Sequence, residues 1–415
     1  MSIKEESLEL HSRYQGCVQV YAKVPLKDEV IYGRLYAPGV VAEVCEAILR
    51  DPMAAYDYTC KNNLVAIVTD GSAVLGYGNI GPRAALPVME GKAILFKTFG
   101  GVEAFPICIG TQETHRVVQL VENISPAFGG VNLEDISSPR CFEIEKALSE
   151  RLEIPVFHDD QHGTAVVVLA GLLNALKIVD RKLAEVKIIF NGAGASALAT
   201  AKILLHAGAG NIVMCDTAGV IYPGRPQGMN DFKEELAAIT NPEKLKGALA
   251  DALKGAQVFI GLSGPNVLNR EMVRAMAPDP IVFALANPDP EIHPEEAKMA
   301  GAIVVATGRT DFPNQVNNCL AFPGIFRGAL DVRASTINEA MNIAAARAIA
   351  DLVGKKLNPV YILPDAMDFR VPPLVAEAVA RAALATGVAR ITIEPDRVAR
   401  HTREFIYDER LSLIE

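Results

Sequence analysis

Apolar residues recur along this chain in two rhythms, and the order of those rhythms predicts the fold. Residues 1–30 read as a short helix and an irregular lead-in, and residues 40–51 as a helix after the Pro38-Gly39 break. The run LVAIVT at 64–69 has strand length and stops at Asp70-Gly71. Residues 93–96 and 105–109 are two more apolar runs of strand length. Helical spacing returns at 115–123 and 141–152, and a strand at 154–157 leads into HDDQHGT. A long apolar helix follows from 164 to about 178. Beyond it, strands at 186–191, 212–215, 258–261, 281–284 and 303–306 alternate with helices, including one at 195–207. Alternation of that kind predicts a parallel sheet covered on both faces. Alanine-rich helices at 335–350 and 374–386 close the pattern.

The fold class this implies is α/β. A Rossmann-type, doubly wound dinucleotide domain is joined to a smaller α/β N-terminal domain, with helices at the C-terminal end. The expected division is 1–160, 161–390 and a tail at 391–415 that packs back on the first domain. A chain of 415 residues has room for two or three domains.

Composition narrows the class. A net charge of -9 argues against nucleic acid as a partner. The start, MSIKEESLEL, has no apolar core of the secretory kind, and the most apolar stretch, 164–173, is too short to span a bilayer. Seven scattered cysteines with no CxxC pair read as reduced thiols, so a cytoplasmic protein with no membrane partner is expected.

The most legible chemistry is NGAGASA at 191–197. A predicted strand ends at Asn191, Gly192-Ala193-Gly194-Ala195-Ser196 makes the turn, and a helix opens. The first glycine permits the tight turn, the second lets the backbone approach a pyrophosphate, and the small residue at 197 lets helix and strand pack closely. The helix N-terminus offers unpaired N–H groups to phosphate. Asp216 ends the next strand, where an acid accepts from the adenine ribose 2′-hydroxyl; this favours NAD, with NADP open if Arg225 compensates.

Two acid pairs stand beside apolar strands: Glu134-Asp135 after a glycine turn, and Asp159-Asp160 at a strand end. A single such pair is usually a solvated loop. Two pairs bordered by apolar strands would repel one another unless protonated or joined by a cation, and a hard divalent ion, Mg2+ or Mn2+, fits. His158 and His162 lack the partners a zinc site needs. Tyr36 precedes a rigid Ala-Pro turn, and Lys92 sits at the entrance of an apolar run. Taken singly, Tyr36 reads as an edge-of-core ring and Lys92 as a surface charge with a buried stem; a desolvated lysine could instead have its pKa depressed toward that of a base.

Together LYAPGV, LVAIVTDGSAVLGYGNIG, PVMEGKAILFK, FGGVNLEDI, IPVFHDDQHGTA, NGAGASA, ALANPDPEI and GRTDFPNQVNNCLAFPGIFRGALD resemble the malic enzyme family, in its shorter bacterial branch. The stretches run in the family's order from about residue 10 to about residue 390. The resemblance implies oxidative decarboxylation of malate to pyruvate with NAD or NADP and a divalent metal. It implies Tyr36 as general acid, Lys92 as general base, and Glu134, Asp135 and Asp160 as metal ligands with Asp159 beside them. It also implies Gly192 to Ser196 as the phosphate loop, and Asn287 and Asn318 where nicotinamide and substrate meet. Two departures stand out. The larger branch carries a carboxylate-binding arginine after TDG, where this chain has Ser72-Ala73, so Asn287, Asn318 or Arg83 is expected to take that contact. The sequence ends at Glu415, without the phosphotransacetylase-like extension of some bacterial members. A homodimer is expected, since two-fold symmetry is the commonest assembly. The rival readings are another small-acid or amino-acid dehydrogenase, which would not need the acid cluster, and a non-catalytic dinucleotide-binding protein, which would not need both Tyr36 and Lys92.

Overall fold

The computed structural model describes residues 3–74 and 76–407. It holds two parallel sheets. The first comprises β1 (Leu64–Thr69), β2 (Glu103–Cys108), β3 (Gly130–Leu133) and β4 (Val156–His158), in the order β2-β1-β3-β4. The second comprises β5 (Lys187–Asn191), β6 (Asn211–Asp216), β7 (Gly219–Val220), β8 (Val258–Gly261), β9 (Ile281–Ala284) and β10 (Val304–Thr307), in the order β10-β9-β8-β5-β6-β7. Among these ten strands of the described residues, only the short β6–β7 pair is antiparallel.

Side-chain alternation explains the layering. In β1, Val65 and Ile67 face Met89, Ala93 and Phe96 of the helix Gly81–Gly100. Ala66 and Val68 face the opposite way, toward Val117, Val121, Ile144 and Leu148 on helices Thr114–Ile124 and Arg140–Arg151. A strand buried on both faces reads as a continuous apolar run, which LVAIVT is. The second sheet is built the same way. Ile188 and Phe190 join the core of helices Thr164–Ile178 and Ala195–His206, whereas Ile189 joins Val213, Phe259 and Val282 on the other face. The most apolar stretch, 164–173, lies within this buried core helix, Thr164–Ile178.

Two expectations fail. Residues 93–96 are not a strand; they lie inside the 20-residue helix Gly81–Gly100, whose buried Ala85, Met89, Lys92, Ala93, Phe96 and Phe99 follow the helical repeat. Pro87 and Gly91 interrupt that pattern in the sequence. The irregular lead-in also ends sooner than expected, in a helix Glu29–Tyr36 that buries no residue and so shows no apolar stripe. At the other end, helix Pro395–Tyr407 packs on helix Val371–Ala385, and Phe405 closes on Gly101; residues 408–415 of the expected tail lie outside the described residues.

Candidate active site

Register brings the two acid pairs together. β3 and β4 are adjacent and parallel, with Leu133 opposite His158. The next two residues of each strand, Glu134-Asp135 and Asp159-Asp160, therefore leave the sheet side by side. Asp135 adopts φ 54, and its N–H donates to Asp160 Oδ2 at 2.9 Å. After β4 the chain makes a π-helical turn, Asp159–Gly163, before helix Thr164–Ile178. Such turns recur at functional sites. Gly163 makes room for Asp159, since a Cβ there would collide with Asp159 Oδ1 and force that carboxylate to move.

Lys92 reaches the same point from the buried face of helix Gly81–Gly100. Its Nζ donates to Glu134 Oε1 at 3.0 Å and to Asp159 Oδ2, and stands 3.9 Å from the Phe322 ring centroid. Asn132 donates to Glu134 Oε2 at 2.8 Å, and Asn318 to Asp159 Oδ2 at 3.1 Å. Thr164 in turn donates to Asn318 Oδ1 at 3.2 Å, fixing the amide's orientation. These groups open on a cavity of about 970 Å3 whose wall also includes Asp135, Asp160, Ser196 and Asn287.

Crowding sets the electrostatics. Burial pushes the Glu134 carboxyl well above its usual range; Lys92 opposes that, while Asp159, Asp160 and Asp135 add to it. Burial and Asp160 push Asp135 up to about 7. Burial works against a charge on Lys92, but Asp159 and Glu134 outweigh it and hold the ammonium above its ordinary range. The expected depression of Lys92 is therefore reversed, because the paired carboxylates supply more than desolvation removes.

The donor set fits a hard divalent cation. Four carboxylates share one ammonium, and Asp159 Oδ1 is buried with no hydrogen-bond partner. Among the described residues, no three His, Cys, Asp or Glu side chains already converge as a ligand set, and Lys92 Nζ bridges Glu134 and Asp159.

The glycine turn adjoins this cluster. Gly192 has φ 128, and a Cβ on it would strike the Leu262 carbonyl. A Cβ on Gly194 would meet nothing within 4 Å, which leaves the approach to a pyrophosphate open. Ala193 and Ala195 complete the turn, and Ser196 Oγ donates to the Asp160 carbonyl at 2.6 Å, tying the turn to the acid cluster. Asp216 ends β6 as expected, but it is engaged: Arg225 and Lys233 both donate to it.

Other expected residues sit elsewhere. Tyr36 is 73% exposed and is not an edge-of-core ring; it ends helix Glu29–Tyr36 near Tyr32, outside the wall of the cavity. Arg83 is exposed and also outside that wall. The cation beside Ser72 is Arg140, which donates to Ser72 Oγ at 2.9 Å and Asp70 Oδ2 at 2.8 Å. Asn132, Thr164 and Phe322 were not anticipated. Only their proximity in sequence to Glu134, HDDQHG and QVNN pointed to them.

Comparison with known proteins gives consistent matches. Residues 15–116 match the family model "Malic enzyme, N-terminal domain", and 161–384 match "Malic enzyme, NAD binding domain". A "Bifunctional malic/malolactic enzyme" of Bacillus subtilis is 56% identical over 97% of this chain and 98% of its own length. An "NAD-dependent malic enzyme" of Geobacillus stearothermophilus is 57% identical over 90% of this chain and 78% of its own. The crystal structure of malic enzyme from Pyrococcus horikoshii superposes with a TM-score of 0.94, at 48% identity, over 99% of this chain and 97% of that one.

Proposed function

The chain belongs to the malic enzyme family, and we propose that Lys92 and the Glu134, Asp135 and Asp160 carboxylates carry its oxidative decarboxylation of malate to pyruvate and CO2 with reduction of NAD(P). The observation that supports this most is the meeting of Lys92, both acid pairs and Ser196 around one cavity.

Glu134, Asp135 and Asp160 would hold Mg2+ or Mn2+, with Asp159 beside them. Gly192 to Ser196 would seat the pyrophosphate. When bound, the nicotinamide would supply the hydride acceptor for malate C2, and the cation would supply a Lewis acid for the C2 oxygen. A divalent cation on Glu134, Asp135 and Asp160 would take over part of the charge balance that keeps Lys92 protonated, and the neutral amine would then take the C2 hydroxyl proton as the hydride leaves. Asn318 holds Asp159 in place and, with Asn287, presents amide groups to substrate and nicotinamide. Tyr36 returns a proton to C3 after C4 departs as CO2. The phenylalanine wall at Phe322 excludes water around the reacting carbons. The division into domains at 1–160, 161–390 and 391–415 belongs to the same reading. A cytoplasmic location is supported by seven cysteines that are all free thiols.

Tyr36 requires a second copy. Helices Ile3–Tyr14 and Glu29–Tyr36 bury no residue, and Ile3, Leu8, Val20, Tyr21, Val30 and Leu35 are exposed, as Tyr36 is. An apolar arm left largely exposed in its own subunit, with only Val18 packed on the main core, fits a two-fold partner. We therefore assign Tyr36 to the partner's cavity in a homodimer.

Lys92→Ala tests the assignment of the base. Turnover with malate should fall by roughly 10²-fold or more, while cofactor binding, measured by nucleotide fluorescence, stays near wild type. Wild-type turnover in that variant would remove Lys92 from the chemistry.

A further inference from the structure

The turn that carries Asp159 and Asp160 is held on its far side by one residue the chemistry has not used. Three donors on or beside the π-helical turn Asp159–Gly163 converge on Glu145. Glu145 Oε1 accepts from the His158 N–H at 3.2 Å and stands 2.7 Å from His162 Nε2. Glu145 Oε2 accepts from Gln161 Nε2 at 3.0 Å. An ionised carboxylate only accepts, so His162 Nε2 carries the proton of that bond. Asp159 and Asp160, between these points, line the cavity instead. Glu145 and His162 lie outside its wall.

Glu145 has the placement of an anchor. Its side chain is 14% exposed, and it belongs to helix Arg140–Arg151. Cys141, Ile144 and Leu148 of that helix are fully buried in one core with Val131 and Leu133 of β3. The His158 ring adds no hold of its own, since neither of its nitrogens has a hydrogen-bond partner. On the cavity side the acids are held by groups of the site itself, Lys92 on Asp159 and the Asp135 N–H on Asp160. Those contacts must rearrange when a cation and a substrate arrive. The contacts to Glu145 need not, because they come from behind.

We propose that Glu145 is a positioning residue of the reaction: through His158, Gln161 and His162 it fixes the turn from behind, so that Asp159 and Asp160 stay aimed at the cation as substrate comes and goes. The inference rests on the malic enzyme reading of the site and deepens it. Groups that orient the ligands of a metal set its affinity as well as its geometry. A glutamine at 145 would bring an NH2 group against one of the three N–H donors and leave both without an acceptor.

Mn2+ titration followed by electron paramagnetic resonance tests this on the folded protein, below its Tm. Glu145→Gln should weaken Mn2+ binding by about tenfold or more and change the spectrum of the bound ion. His162→Leu should also weaken it, whereas His162→Gln should stay near the wild type because its amide can still donate to Glu145. Glu145→Gln combined with His162→Leu should lose no more than Glu145→Gln alone, since both break one network. Dinucleotide affinity, by nucleotide fluorescence, should hold in every variant, and kcat for malate should fall with the KM for the dinucleotide unchanged. A carboxylate that served stability alone would lower the Tm of the metal-free protein and leave Mn2+ affinity and spectrum as in the wild type; that result would overturn the proposal. Equal losses in His162→Leu and His162→Gln would overturn it too, and that comparison stands even where Glu145→Gln does not fold. A wild-type protein that binds no Mn2+ would count against the reading of the site, and against this inference with it.

Discussion

Lys92 Nζ lies 3.0 Å from Glu134 Oε1, so a buried ammonium stands among the carboxylates assigned to the metal. The lysine and a divalent cation serve the same electrostatic need there. Breaking a buried ion pair by removing one partner costs about 3–5 kcal/mol. Lys92→Met should therefore lose stability on that order without metal, and Mn2+ should raise its Tm by more than it raises the wild type's. Equal Mn2+ shifts in the two proteins, by scanning calorimetry, would separate Lys92 from the metal site.

Asp160 is held by the Asp135 N–H at 2.9 Å and faces the cavity. Asp160→Ala removes one oxygen donor and keeps the backbone carbonyl that receives Ser196. Mn2+ affinity, read by electron paramagnetic resonance, should fall at least tenfold, and malate turnover with it. Unchanged affinity would show that Asp160 is not a ligand.

Tyr36 and Lys92 are assigned to opposite subunits of each site. Tyr36→Phe and Lys92→Ala should each be nearly inactive alone. After unfolding, mixing and refolding in equal amounts, half the dimers are mixed and one of their two sites is intact, so about a quarter of wild-type activity should return. No recovery would place both residues in one subunit.

Phe326 joins the layers around the site. Its ring is fully buried and meets Phe96 at 5.2 Å and Phe157 at 5.7 Å between centroids. Phe326→Ala should cost about 3–5 kcal/mol of stability. A denaturant midpoint shift worth less than about 1 kcal/mol would mean the cluster collapses to refill the space.

The sequence made these parts legible to different degrees. Strands β5 and β6 and the glycine turn were readable because both lie in continuous apolar runs bounded by glycine or acid. The partnership of Glu134-Asp135 with Asp159-Asp160 depends on register, Leu133 opposite His158, which no local pattern carries. Lys92 reads as the entrance to a strand at 93–96 because Pro87 and Gly91 hide the helical repeat of Gly81–Gly100. The environment of Asp216 was half visible: Arg225 was near in sequence, but Lys233 reaches back from helix Asp231–Ala237. Of the N-terminal arm only the first helix was readable; Glu29–Tyr36 buries no residue and so leaves no apolar stripe in the sequence.

The most direct measurement follows malate, pyruvate and NAD(P)H together, first with EDTA and then after Mn2+ is restored. The account predicts one pyruvate per reduced cofactor with Mn2+ and almost none with the chelator. Undiminished cofactor reduction in EDTA, or reduction without pyruvate, would contradict it.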